Sequence, residues 1–146
     1  MIDRLTAGPL TLVAPSGWAR VQPVEGTDAV LLAPETPGGG FRPNLVVHSE
    51  SFSGSQAKLS TVTLAGHQVM LAEYHLIDVA PWDAPVPDGR RFEYLHRSGS
   101  HLVHCMQYSS VVDNRSVHLT FSVAEAQLAG LDDTILGCVD TVKVAA

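Results

Sequence analysis

Between Arg90 and Val144 the apolar residues change their period, and that change restricts the fold more than any other feature. Arg91–His96, His101–Val111 and Ser116–Val123 alternate apolar and polar side chains with the period of two that a half-buried strand requires. Ser98-Gly99 suits a two-residue hairpin turn, and Asp113-Asn114 suits a second. From about Ala124 the spacing lengthens. Leu128, Leu131, Ile135, Val139 and Val142 recur at three and four, with Asp132, Asp133 and Asp140 opposite. The spacing predicts an amphipathic helix. Gly130 and Gly137 weaken it by up to ~1 kcal/mol each relative to Ala, so packing must hold it.

The two turns sort the side chains onto two faces. Tyr108 is expected opposite Leu119, and Met106 opposite Phe121. The first face then carries Leu95, Leu102, Met106, Tyr108, Leu119, Phe121 and Val123, a platform for the helix. The second carries Phe92, Tyr94, His96, His101, Val103, Cys105, Gln107, His118 and Thr120. It is neither a dry core nor an ordinary charged surface. Cys105 and Cys138 fall on opposite sides of this sheet and are expected to be free, since a disulfide needs Cα atoms within about 7 Å.

Upstream, Pro9–Pro15, Asp28–Ala33 and Asn44–Glu50 read as strands. Pro34–Gly40 is a loop by composition. Ser51–Gly66 is polar and keeps no helical period, so a loop with an extended piece at Leu59–Leu64 is expected. His67–Asp78 alternates as a long strand, with Leu71, Glu73 and His75 on the second face. Val79–Gly89 carries three prolines and is expected to be a stiff loop around Trp82, which either caps the sheet or anchors a partner.

Composition removes several function classes. The chain has 146 residues, 45% of them apolar, enough for one core and one domain, 1–146. Its formal charge is −6, and its nine Lys and Arg form no cluster, which argues against nucleic-acid binding and a basic membrane helix. No run reaches the roughly 20 apolar residues of a membrane span, so no membrane insertion is expected. Met-Ile-Asp-Arg-Leu-Thr has no signal-peptide core. A cytoplasmic location is expected as the chain stands, and a secreted or envelope-associated one if its N-terminus was trimmed. Asn114-Arg115-Ser116 fits a glycosylation acceptor but reads as a turn.

Catalytic chemistry is poorly supported. There is no Gly-x-Ser-x-Gly elbow and no phosphate-binding glycine loop before a helix. Cys105 and His101 lie about 13 Å apart along one strand, beyond hydrogen-bond reach. His101 and His104 point to opposite faces, so they cannot chelate together, and a metal site needs three or four convergent ligands. No catalytic residue, metal or cofactor is expected.

Short motifs then carry a resemblance. Pro15-Ser16-Gly17-Trp18, Phe41-Arg42-Pro43-Asn44-Leu45-Val46-Val47, Val62-Thr63-Leu64-Ala65-Gly66 and the terminal Asp140-Thr141-Val142-Lys143-Val144 resemble the PsbP-like fold over about Pro9–Val144. They are most similar to its actinobacterial LpqN and LpqT type, without the lipobox cysteine or the acidic Ran-binding signature found elsewhere in the group. The resemblance implies an α+β fold, an antiparallel meander with helices on both faces, and a role in binding proteins. In this chain the helix of the second face looks absent or shortened. That face is therefore expected to be exposed, and Leu71, Trp82, Phe92, Tyr94, His96, His101 and Val103 are the candidate partner-binding residues. The expected function is a non-enzymatic binding or scaffold module with a protein partner or a homodimer. A small apolar-ligand or lipid carrier is the alternative, and a small hydrolase or metal-dependent enzyme stands third.

Overall fold

A computed structural model describes residues 4 to 145; Met1–Asp3, part of the segment read for a signal peptide, lie outside the described residues. Its main element is a seven-stranded antiparallel sheet built from β3 (Ala19–Val21), β4 (Ala29–Leu32), β5 (Asn44–Ser51), β6 (Ala72–Trp82), β7 (Gly89–Ser98), β8 (His101–Val112) and β9 (Arg115–Ala124), in the order β3-β4-β5-β9-β8-β7-β6. A small second sheet joins β1 (Leu5–Ala7), β2 (Leu10–Leu12) and β10 (Lys143–Val144). Helix α1 (Gln56–Met70) lies on one face of the large sheet. A 3-10 turn (Glu125–Gln127) leads into α2 (Leu128–Val139) on the other. The α+β architecture expected from the sequence is therefore present.

The first face behaves as its alternation predicts. Leu45, Val47, Leu119, Phe121 and Val123 are buried there against Ile135, Cys138, Val139 and Val142 of the C-terminal segment. Each large side chain so buried contributes ~1.5–3 kcal/mol. Asp132, Asp133 and Asp140 remain in solvent. The β8–β9 register is the expected one, with Tyr108 opposite Leu119 and Met106 opposite Phe121. Asp113 and Asn114 both take positive φ (49° and 60°), as a tight turn matching strand twist requires. The β7–β8 turn falls one residue later than expected, at Gly99-Ser100, which displaces the pairing by two: Ser98 pairs with His101 and Leu95 with His104. A shift of two leaves every side chain on its face, so the sorting stands. Cys105 and Cys138 are both free and buried, on opposite faces.

The second face corrects the sequence reading. Ser51–Gly66 is not a loop, and the helix expected to be missing is present as α1. Ser55 caps it by accepting from the Lys58 amide at 3.1 Å. The side chains that α1 turns toward the sheet are mostly small or polar: Gln56, Ser60, Thr63 and His67 beside Leu59 and Leu64. They match a sheet face that is itself polar and aromatic, which is why no apolar period marks the helix. Phe92, Tyr94, Val103 and Cys105 form a second core cluster, with Leu64, Leu71 and Tyr74 packed on it. The expected exposed patch is therefore absent: Phe92 and Val103 are 0% and 1% exposed.

Strand β6 also departs from expectation. It begins at Ala72, because His67–Met70 close the helix, and it runs through Pro81 to Trp82. Pro81 is tolerated because β6 is a sheet edge. Register shifts between Ala72 and His75 and between Leu76 and Asp78 break the simple alternation. His75 consequently pairs with Leu95 on the first face, while Tyr74 and Leu76 meet the second-face residue Tyr94. Glu73, at φ 50° in the first bulge, ion-pairs with Arg97 at 2.6 Å. Trp82 is 7% exposed and packs edge-on to Tyr108 at 5.3 Å, so it caps the first-face core. Gly89 lets it do so, since a Cβ there would sit 2.8 Å from the Trp82 carbonyl oxygen.

Val103→Glu is expected to unfold the protein. It buries an unpaired carboxylate, a change among the most destabilising a single residue can make. Circular dichroism and urea denaturation check this; a variant with wild-type stability would contradict the burial of this face.

Candidate functional site

Because α1 crosses the sheet nearer its β6–β8 side, it leaves a groove beside β5 and β9. The groove has a volume near 650 Å³ and is lined by His48, Glu50, Phe52, Leu59, Val62, Thr63, Gly66, His67, Met70, Leu71, Gln107 and His118. Residues 59, 62, 66 and 70 recur at three and four, so they form one flank of the helix. Val62, Val69 and Met70 are 54%, 82% and 79% exposed, an apolar lip on that side.

The floor is polar and ordered by hydrogen bonds. Tyr94 donates to Gln107 Oε1 at 2.9 Å, and His67 Nε2 lies 2.9 Å from the same oxygen. An amide oxygen only accepts, so His67 carries its proton on Nε2. Gln107 Nε2 lies 3.0 Å from His118 Nδ1, and the Ser109 hydroxyl 2.6 Å from it. His48, the cross-strand partner of His118, stacks beside it with ring centroids 6.3 Å apart and planes 10° apart. Its Nδ1 reaches the Gly26 carbonyl oxygen at 2.6 Å.

Burial pushes the His118 pKa down to about 4, with His48 and His67 adding to the effect. Burial lowers His67 too; its Gln107 hydrogen bond opposes this and His96 assists it. His67 and His118 of the groove floor are therefore uncharged at neutral pH. Tyr94 and Cys105 are held protonated, mainly by burial. Burial pushes the Cys138 thiol up to about 12. Neither cysteine is disposed to act as a nucleophile. Among the described residues no group of three or more His, Cys, Asp or Glu is placed to hold a metal ion.

The residues singled out from sequence do not converge. Leu71 alone lines the groove. Phe92, Tyr94 and Val103 lie beneath α1, Trp82 is on the opposite face, and His96 and His101 are half-buried toward the hairpin end, where His101 packs against Phe41 at 5.5 Å. Gln107 and His118 were correctly placed on the second face but not singled out. His48, Phe52, Val62, Gly66, His67 and Met70 were missed because the helix was missed. The available signal was Ser55, an N-cap residue three before Lys58, followed by fifteen residues without proline.

Solved structures place the fold. LpqN of Mycobacterium tuberculosis, a protein involved in cell envelope biogenesis, superposes with a TM-score of 0.75 over 94% of this chain and 83% of its own, at 10% identity. The fold is PsbP-like. Cyanobacterial PsbP of Synechocystis superposes at 0.71 with 15% identity, covering 99% of this chain and 92% of its own. A mutant of the protein Mog1 gives 0.65 at 11% identity, covering 99% and 96%. No protein-family model and no curated protein matches the sequence. The PsbP-like likeness thus concerns backbone architecture. Among the described residues no helix is long and apolar enough to cross a membrane.

Stability should fall in acid because of this floor. Above about pH 6.5 both states hold neutral histidine and the effect vanishes. Below it the unfolded chain takes up protons that folded His118 and His67 resist, and His118 alone costs about 1.4 kcal/mol per pH unit. For His118 the loss continues until its folded pKa, about 4, is reached. In urea melts at stepped pH, His118→Asn, which keeps an acceptor toward Ser109, should flatten the slope. An unchanged slope would remove His118 as its source.

Proposed function

We propose that this protein is a non-enzymatic binding module and that the groove along α1 is its binding site. The observation that carries this reading is the lip: Val62, Val69 and Met70 stand exposed on one helix flank, above a groove of near 650 Å³. Exposed apolar side chains scattered singly need no explanation, whereas a cluster bordering a groove marks an interaction surface. A protein partner that inserts an apolar side chain between this lip and Phe52 is the leading reading. It agrees with the role implied by the motifs that resemble the PsbP-like group. Homodimerisation through the sheet face is not retained, because α1 occupies that face.

The groove chemistry favours binding over catalysis. Gln107 and Ser109 occupy His118 Nδ1, and Gly26 occupies His48 Nδ1, so both rings are held in place. The cysteines are buried and protonated. One feature favours a second reading, a small apolar ligand: the groove has an organised polar floor as well as an apolar lip, the usual make-up of a ligand pocket.

Val62→Glu with Met70→Glu should abolish capture of partners from source-cell lysate while leaving circular dichroism and the unfolding midpoint near wild type, since both positions are exposed. Retention of the same captured proteins by the double variant would refute the groove as the site.

A further inference from the structure

We infer that the floor of this groove binds the hydroxyl headgroup of a neutral amphiphile, seated between His48 and His118, with its apolar tail lying along α1. The inference rests on the groove being a binding site and adds the chemistry of what enters it.

The hydrogen bonds settle which nitrogens carry protons. A backbone carbonyl only accepts, so the His48 Nδ1 that meets Gly26 O carries hydrogen, and in the neutral ring Nε2 is a bare acceptor. At 3.9 Å from Glu50 Oε1 it is beyond hydrogen-bond distance. His118 has the opposite arrangement. With Gln107 Oε1 accepting from Tyr94 and His67, the Gln107 amide N–H points at His118 Nδ1, and the Ser109 hydroxyl completes the pair. That nitrogen holds the lone pair, so Nε2 carries the proton. It has no partner among the described residues and is not one of the buried unpaired atoms. Two near-parallel rings 6.3 Å apart, both lining the groove, thus carry one acceptor nitrogen and one donor nitrogen without a protein partner.

A hydroxyl meets both demands, since it donates one hydrogen bond and accepts others. A carboxylate would leave His48 unsatisfied and lie near Glu50. An ammonium would face the His118 N–H. The apolar tail has Leu59, Val62, Met70 and Phe52 for walls.

Gly66 also lines the groove. It lies mid-helix, where glycine is a poor helix former, and a Cβ built on it meets nothing within 4 Å. A larger side chain at this position would fill the groove without straining the helix.

The test is a titration of the full chain with decan-1-ol, decanoate and decylammonium at neutral pH, followed by NMR of the histidine rings. Saturable binding of decan-1-ol that shifts His48 and His118 but not His101, with both ions about ten-fold weaker or worse, supports the assignment. Gly66→Leu should weaken the alcohol by about ten-fold or more while raising the thermal midpoint, which separates a blocked groove from a damaged fold. Equal binding of the ions would overturn the headgroup assignment and leave groove binding standing. Absence of alcohol binding, or alcohol binding untouched by Gly66→Leu, would overturn the inference. The binding-module reading would then still be judged separately, by lysate capture with the Val62→Glu, Met70→Glu variant.

Discussion

Strand β8 is buried on both faces from Val103 to Ser110, and the rest of the structure answers to that constraint. A strand covered on both sides has no solvent-facing side chains, so each residue must be matched by one of the two layers. Its even-numbered residues His104, Met106 and Tyr108 look toward α2 and Trp82. The odd-numbered Val103, Cys105, Gln107 and Ser109 look toward α1. The first set is mostly apolar and the second is mixed, and each helix is composed to suit the face it meets.

The mixed face explains why α1 looks as it does. Gln107 on β8 accepts from Tyr94 and His67 and contacts His118, tying three strands and the helix through one amide. A buried polar group costs free energy unless paired, so such a network favours one arrangement of the layers over others. Burial keeps His118 uncharged, and the same network sets its proton position. Structural need and groove chemistry therefore share the same residues. The price of this arrangement is sensitivity to acid, since protonating the floor removes an acceptor that two neighbours use.

Much of the sheet was legible in the residues themselves. The β7–β8–β9 meander, its two faces, the free cysteines and α2 follow from period and turn chemistry. The face assignments even survived a hairpin register displaced by two, because side-chain direction repeats every two residues. Where period was disturbed, reading failed. The bulges in β6 moved His75 and Tyr74 to the faces opposite those expected. Pro81 suggested a loop, although at a sheet edge its missing N–H costs no ladder hydrogen bond.

The sequence by itself determined the alternation that makes a half-apolar sheet, the amphipathic stripe that covers its apolar face, and the PsbP-like class. These depend on local spacing, which a chain carries without knowing its neighbours. Only the tertiary structure decided what covers the second face and where the groove lies. The stripe of α1 is built from Gln56, Ser60, Thr63 and His67, residues that signal a helix only once the polar surface they pair with is in place. His48 and His118, 70 residues apart in the chain, become neighbours solely through the β5–β9 pairing. Hydrophobic period is visible one segment at a time, whereas hydrogen-bond complementarity is a property of two surfaces in contact.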